Sequence, residues 1–118
     1  MDTSYTAQVA RVVELLRGKW TVQILCAMRT RPVRLSELKR EIPSASKKAI
    51  TASLRSLESG RLVLRRDLSS SVLHVEYELA DAMREPLVAL LDHLAGWGKL
   101  YDEKAINDDV PDGPVRMR

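Results

Sequence analysis

Phenylalanine is absent from this chain of 118 residues, and two tryptophans and three tyrosines are all the large aromatics it has. Proteins that hold single-stranded nucleic acid rely on stacking bases against aromatic rings, so a surface this poor in rings counts against that class. A single cysteine, Cys26, excludes an intrachain disulfide and any fold that depends on an oxidising compartment. That thiol and two histidines, His74 and His93, are too few and too dispersed for a zinc pattern, so no metal and no cofactor is expected. No Gly-Lys-Ser/Thr run is present to cradle phosphates, and no nucleophile stands near a base in sequence. The chain is therefore expected not to be an enzyme, and no catalytic residue is assigned. The apolar runs fall far short of the roughly 18 residues of a membrane span, and the opening Met1-Asp-Thr-Ser-Tyr-Thr6 lacks a basic segment followed by an apolar core. A cytoplasmic protein without a membrane partner is expected.

With 45% hydrophobic and 30% charged residues, the chain can bury one core and is too short for two ordinary domains. Its net charge of +3 conceals a division. Residues 1–66 hold 14 Lys/Arg against 5 Asp/Glu, a balance of +9, while residues 67–118 hold 5 against 11, a balance of −6. A basic half attracts a polyanion, and an acidic half limits adhesion to every anionic surface. Duplex DNA is the partner this pattern favours.

The stretch from Ser46 to Gly60 organises the rest. Ser46 is placed to N-cap a helix over 46–59, and Gly60 to end it in a left-handed cap. At about 100° per residue, Ile50, Ser53, Leu54 and Leu57 share one face and Lys48, Thr51, Ala52, Arg55 and Ser59 the other. The outer face is slender, basic and free of acids until Glu58, as a helix entering the major groove must be.

Ahead of it, Tyr5, Val9, Val12, Val13 and Leu16 recur at helical spacing up to Gly18, and Lys19 to Met28 restart the period with Trp20, Ile24, Leu25 and Met28 as core positions. Cys26 reads as a small buried hydrophobe on that second helix. Pro32 breaks the pattern, a short strand is possible from Val33 to Leu35, and Leu35, Leu38 and Ile42 mark a short helix stopping at Pro43. Two helices joined by the turn at Pro43 to Ser46 make a helix-turn-helix whose second member recognises. Leu62 to Asp67 and Leu73 to Leu79 alternate with period two around a serine-rich tip, which predicts a hairpin wing over 62–79 with Val75, Tyr77 and Leu79 inward and His74, Glu76 and Glu78 outward. Arg65 or Arg66 pairing with those acids is the expected cross-strand arrangement. Residues 82–103 form the longest helical pattern. Leu87, Leu90, Leu91, Leu94, Trp97, Leu100 and Tyr101 spread over more than half its circumference, which requires two partners, one of them a second copy of the chain. Gly96 and Gly98 in its interior suit the close approach of another backbone. Residues 1–104 make one domain on this reading, and 105–118, rich in Asp, Asn, Pro and Gly, an unstructured tail.

Four motifs in order also carry a resemblance. The runs Leu16-Arg-Gly-Lys-Trp-Thr21, Arg34-Leu-Ser-Glu-Leu-Lys-Arg-Glu-Ile-Pro43, Ser46-Lys-Lys-x-x-Thr51-x-x-Leu-Arg-x-Leu-Glu58 and Val75-Glu-Tyr-Glu-Leu79 resemble the HxlR-type bacterial transcriptional regulators over about Val9 to Tyr101. The resemblance implies a mainly α fold with a small β-hairpin, a winged helix-turn-helix flanked by N- and C-terminal dimerisation helices. It further implies a cytoplasmic homodimer on a roughly palindromic operator, with room for a small-molecule effector that the sequence does not identify. The family usually has an aromatic where Leu35 stands, a longer polar residue at Ala52, a proline-containing wing at Ser69 to Ser71 and Thr at Ala80. Some members sense oxidants through a cysteine ahead of the first helix, and here none precedes Cys26, so that route is not expected.

The DNA-contacting set predicted from pattern and resemblance together is Arg34, Ser46, Lys47, Lys48, Thr51, Ala52, Arg55, Arg65, Arg66, Ser70 and His74. The predicted dimer interface is Tyr5, Val9, Leu90, Leu94, Trp97 and Tyr101. A winged-helix module that binds another protein is the rival, since fold does not dictate function. Against it stand 11 Lys/Arg to 3 Asp/Glu over residues 29–66.

Overall fold

Seven elements make up residues 4–108, the part described by this computed structural model: α1 Tyr5–Leu16, α2 Thr21–Ala27, α3 Leu35–Glu41, α4 Lys47–Ser59, β1 Val63–Asp67, β2 Val75–Leu79 and α5 Asp81–Asp108. Their order is that of a winged helix-turn-helix, mainly α with one small hairpin. The chain divides into two compact units, up to Arg84 and from Glu85 onward.

In the first unit α2, α3 and α4 pack on one another. Ile24 and Leu25 of α2, Met28 at its C-cap, Leu38 of α3 and Ile50 and Leu54 of α4 are all at most 1% exposed. Each such side chain taken out of water contributes about 1.5–3 kcal/mol, so this cluster sets the angle between α3 and α4. The hairpin closes the core with Val63 and Leu79, which face each other in the ladder. Val33 forms a single bridge to Tyr77, with both N–H···O contacts at 2.8 Å, so the expected short strand is reduced to one bridged residue. α1 buries none of its residues.

Several expectations are corrected. Gly60 is not left-handed: it sits at φ −80°, and Arg61 takes the positive φ of 63°. Arg61 N–H donates to Glu58 O at 2.9 Å and Leu62 N–H to Leu57 O at 3.0 Å, the paired bonds of a Schellman cap shifted one residue on from the glycine. Trp20 is only half-buried, because α2 starts at Thr21 and the indole stands before the helical stripe, with Lys19 Nζ 5.1 Å from its ring. Cys26 is half-buried as well, lying off the stripe of Ile24, Leu25 and Met28 beside a hollow of about 280 Å3 bordered by Arg29 and Glu41. Glu78 is buried rather than outward, since Arg66 and Arg84 close over it, and Val75 and Tyr77 are half-buried.

In the second unit α5 continues past the expected end at 103 to Asp108, four residues into the segment 105–118; positions 109–118 lie outside the described residues. Leu87 and Leu91 are buried, whereas Leu94, Trp97, Leu100 and Tyr101 are 46–64% exposed. The rings of Trp97 and Tyr101, one turn apart, stack at 5.5 Å. A side chain at Gly96 or Gly98 meets nothing within 4 Å in the single chain.

Candidate nucleic-acid interface

α4 begins where Ser46 caps it: the serine hydroxyl accepts from Ala49 N–H at 3.0 Å. This fixes the first turn and commits the Ser46 side chain to the helix. Ile50, Leu54 and Leu57 are buried, so Lys47, Lys48, Ala52 and Arg55 point outward and are exposed, with Thr51 half-buried at their edge. The Thr51 hydroxyl donates to Lys47 O at 2.9 Å. No hydrogen bond or ion pair to the side chains of Lys47, Lys48 or Arg55 is found among the described residues. Their cationic heads are free for a ligand, and the short Ala52 between them leaves a shallow hollow on the helix surface.

α3 stands across the turn. Its N-terminus is closed by Glu37, whose carboxylate accepts from Arg34 N–H at 2.8 Å and pairs with Arg31 at 3.3 Å. Those contacts, the Arg34 N–H foremost, hold the Glu37 carboxyl below the usual carboxylate range. The Arg34 guanidinium donates to Leu73 O at 3.3 Å, which ties the start of α3 to the wing. At the other end of α3, Lys39 Nζ donates to Pro43 O and to Ala45 O, both at 2.9 Å. One ammonium thereby fastens the turn between the two helices. Sequence reasoning assigned Lys39 no role, although a lysine in the last turn of a helix, four residues before the proline that ends it, is a known signal for capping carbonyls.

The wing divides its cations. Arg65 is exposed and has no hydrogen-bond or ion-pair partner among the described residues. Arg66 is hydrogen-bonded through Nε to Glu78, and that bond raises the pKa of its guanidinium. Arg84 reaches the same carboxylate at 3.3 Å, Leu79 O at 2.9 Å and Asp81 at 3.2 Å. His74 pairs with Glu76 at 2.8 Å, not across the ladder. At the tip, Asp67 accepts from Ser69 N–H at 2.9 Å and the Ser69 hydroxyl accepts from His74 N–H at 2.8 Å. Ser69 is thus structural, and Ser70, exposed, keeps its hydroxyl free of partners among the described residues. The hydrogen bonds from Ser69 hold the Asp67 carboxyl below its usual range.

A groove of about 690 Å3 runs between α3, the first turn of α4 and the hairpin, and it gathers Arg34, Lys47 and Arg65 of the predicted set with Lys39 and Arg40, which that set lacked. No acid lines it. Arg55, Lys48, Thr51 and Ala52 adjoin it through Lys47 on α4, whereas Arg66 and His74 are occupied by acids.

The model of the HxlR-like helix-turn-helix family matches residues 15–106. The chain belongs to that family. As an HxlR-type transcriptional regulator it is 34% identical over 100 residues, 85% of its length and 76% of the relative's, to an uncharacterized HTH-type transcriptional regulator of Methanothermobacter thermautotrophicus. It is 35% identical over 104 residues to the uncharacterized HTH-type transcriptional regulator YtcD of Bacillus subtilis, covering 88% of this chain and 82% of that one. A crystal structure under the ytcD name matches 87% of this HxlR-type chain and 99% of its own with a TM-score of 0.75 at 33% identity. A crystal structure assigned to the MarR family, from Enterococcus faecalis V583, covers 91% of this chain and 96% of its own with a TM-score of 0.80, and at 24% identity shows the fold alone.

Proposed function

We propose that this HxlR-type regulator binds duplex DNA sequence-specifically as a homodimer, with α4 in the major groove and the hairpin wing on the backbone. The observation that carries the reading is the outer face of α4. Three cations without partners among the described residues flank Thr51 and Ala52 on a helix whose other face is fixed in the core. Major-groove edges are read by such side chains, and Arg34, Arg65 and Ser70 are suited to phosphates, which position without specifying. Arg66 and His74 belong to this footprint only by giving up Glu78 and Glu76. No enzymatic step is part of this reading.

The dimer part rests on uncovered apolar surface. Tyr5 is 85% and Val9 48% exposed on α1, and Leu94, Trp97 and Tyr101 on α5 are 46–64% exposed, with Leu90 half-buried beside them. Burying several of these per subunit, at about 1.5–3 kcal/mol each, exceeds the several kcal/mol lost in association. Two-fold symmetry then presents two α4 helices to half-sites about one helical turn apart.

Gel-shift titration on random duplexes at two salt concentrations, followed by selection of bound fragments, tests the DNA reading. Binding that is steeply salt-dependent and enriches a palindrome supports it, and no binding at low salt rejects it. For the dimer, changing both Leu94 and Trp97 to Glu is expected to give a monomer in sedimentation that loses palindrome affinity far more than half-site affinity. A wild type sedimenting as a monomer at micromolar concentration rejects the interface.

A further inference from the structure

The turn between α3 and α4 is built without the residue that such turns commonly use. Ile42 to Ser46 contains no glycine, and none of its residues takes a positive φ. The inner side of the turn is fixed by Ala45, 1% exposed, whose N–H donates to Ile42 O at 3.1 Å. On the outer side the carbonyl oxygens of Pro43 and Ala45 both lie 2.9 Å from a single donor, Lys39 Nζ. Two carbonyl oxygens brought that close to one point repel each other unless a cation stands between them, so the ammonium holds this side of the turn through two charge-assisted hydrogen bonds. Lys39 is exposed as a residue, but its contact with Ala45 O is partly buried, where water screens it less.

What this clamp controls follows from the place of Ala45 in the chain. Ala45 directly precedes Ser46, the N-cap of α4, and Lys47, Lys48, Thr51 and Arg55 follow on that helix. A hydrogen bond to a base edge tolerates only a small misplacement of its donor and depends on the residues that support it. A phosphate contact positions the protein and carries no sequence information. A shift of the α4 start therefore falls on base reading before it falls on attraction to the backbone. Lys39 also stands on the basic rim of the groove beside Arg40, where a phosphate contact is the simpler role. Two of its three donors are engaged by the turn, however, whereas Arg40 has no hydrogen bond or ion pair among the described residues. The rim thus sets a cation committed to the turn next to one free for an anion. We propose that Lys39 is a positioning residue for sequence discrimination: by holding Pro43 O and Ala45 O it fixes the start of α4, and its loss relaxes base preference beyond what its charge explains. The role in discrimination rests on the reading of α4 as the recognition helix, while the clamp stands on the geometry of the turn.

Lys39→Met keeps the aliphatic stem and removes the ammonium, and Arg40→Met removes one charge from the same rim while leaving the turn intact. In gel shifts of the intact protein on the selected operator and on random duplex at two salt concentrations, both variants are expected to weaken every duplex and to lower the salt slope to a similar extent. Only Lys39→Met is expected to lower the ratio of selected to random affinity as well, by about fivefold or more, the scale of one misread base pair. Lys39→Arg, which offers two donors on a planar fork, is expected to recover most of the lost discrimination. Without DNA, Lys39→Met is expected to shift the amide NMR signals of Ser44, Ala45, Ser46 and Lys47 and to leave those of Ile24 and Leu25 in place. Should Lys39→Met not fold, Lys39→Gln, equally uncharged, takes its place. Equal discrimination by Lys39→Met and Arg40→Met, unmoved turn amides, or a Lys39→Arg protein that discriminates no better than Lys39→Met overturns the proposal. Turn amides that move in a protein whose wild type binds no duplex reject the regulator reading and with it the role in discrimination. A wild type that selects a palindrome, with a Lys39→Met variant that discriminates as well, rejects the role of Lys39 alone.

Discussion

Lys47, Lys48 and Arg55 on the outer face of α4 have no intrachain partners among the described residues, whereas Arg66 and Arg84 at the base of the wing are held by the buried carboxylate of Glu78. All but Arg84 count equally toward the basic half of the chain. The difference lies in where the nearest acid is placed: α4 carries none before Glu58, and β2 delivers one into the wing's base. A cation left unpaired at a surface is available to a ligand, while a cation paired with a buried acid serves the fold and is costly to withdraw. The α4 face is therefore the surface left open to a ligand, which the proposed function takes as the working face, and the wing base is held by the fold as an anchor.

The sharpest way to break that contrast is Arg55→Ala. If Arg55 reads a guanine bidentately, affinity for the selected operator falls by about 1–3 kcal/mol and base preference relaxes at one position per half-site. Equal loss on selected and random duplexes makes Arg55 a phosphate contact instead, and no loss on either removes α4 from the recognition role.

Glu78→Gln attacks the anchor. The carboxylate is 10% exposed while its partners Arg66 and Arg84 are 50% and 37% exposed, so the pair lies between a surface and a buried bridge. Solvent screening of the arginines tempers the cost, and a loss of about 1–2 kcal/mol in urea unfolding is expected. Freed from its acid, Arg66 should join the DNA-facing cations, so the variant is less stable yet binds random duplex with a steeper salt dependence. A variant of wild-type stability and salt dependence shows that the bridge is idle.

A smaller effect separates the two wing arginines. Arg65→Ala is expected to reduce the log–log salt slope by about 0.9, the release accompanying one phosphate contact, and to weaken all duplexes alike. Arg66→Ala is expected to leave the slope unchanged and to lower stability instead. Reversed results place the DNA backbone on the other side of the strand.

How much of this was legible beforehand follows from the range of the interactions. The α4 helix, its serine cap and its two faces depend on residues within one or two turns, and Ser46, Ile50, Leu54 and Leu57 state them directly. The wing's alternation was legible too. Glu78 was misread because period-two alternation assigns a face and not what covers it; Arg66 comes from the opposite strand and Arg84 from the start of α5, so burial of the acid is a tertiary outcome. Trp20 was misplaced because the helix starts two residues later than the pattern suggested, and Cys26 because it lies off the buried stripe of Ile24, Leu25 and Met28. The groove required three elements to converge, and no spacing along the chain announces it.

The joint between working face and anchor is Arg61, and it carries the smallest expected effect. Arg61 alone among the described non-glycine residues has a positive φ, at 63°, where a Cβ crowds the neighbouring carbonyl and costs about 1–2 kcal/mol. The Schellman bonds to Glu58 and Leu57 demand this conformation, and Gly60, one position early, does not relieve it. Arg61→Gly removes the strain but gives the unfolded chain about 0.5–1 kcal/mol of additional conformational freedom. A net gain of about 0.5–1 kcal/mol in urea unfolding is expected. Arg61→Ala keeps the Cβ and removes the same exposed charge, so it isolates the backbone contribution: it should show no gain, while both variants lose any long-range attraction to DNA equally. If alanine stabilises as much as glycine, the positive φ stores no strain and the benefit came from the lost charge. If glycine alone stabilises and sharpens operator binding, the cap sets the angle at which α4 and the wing meet the duplex.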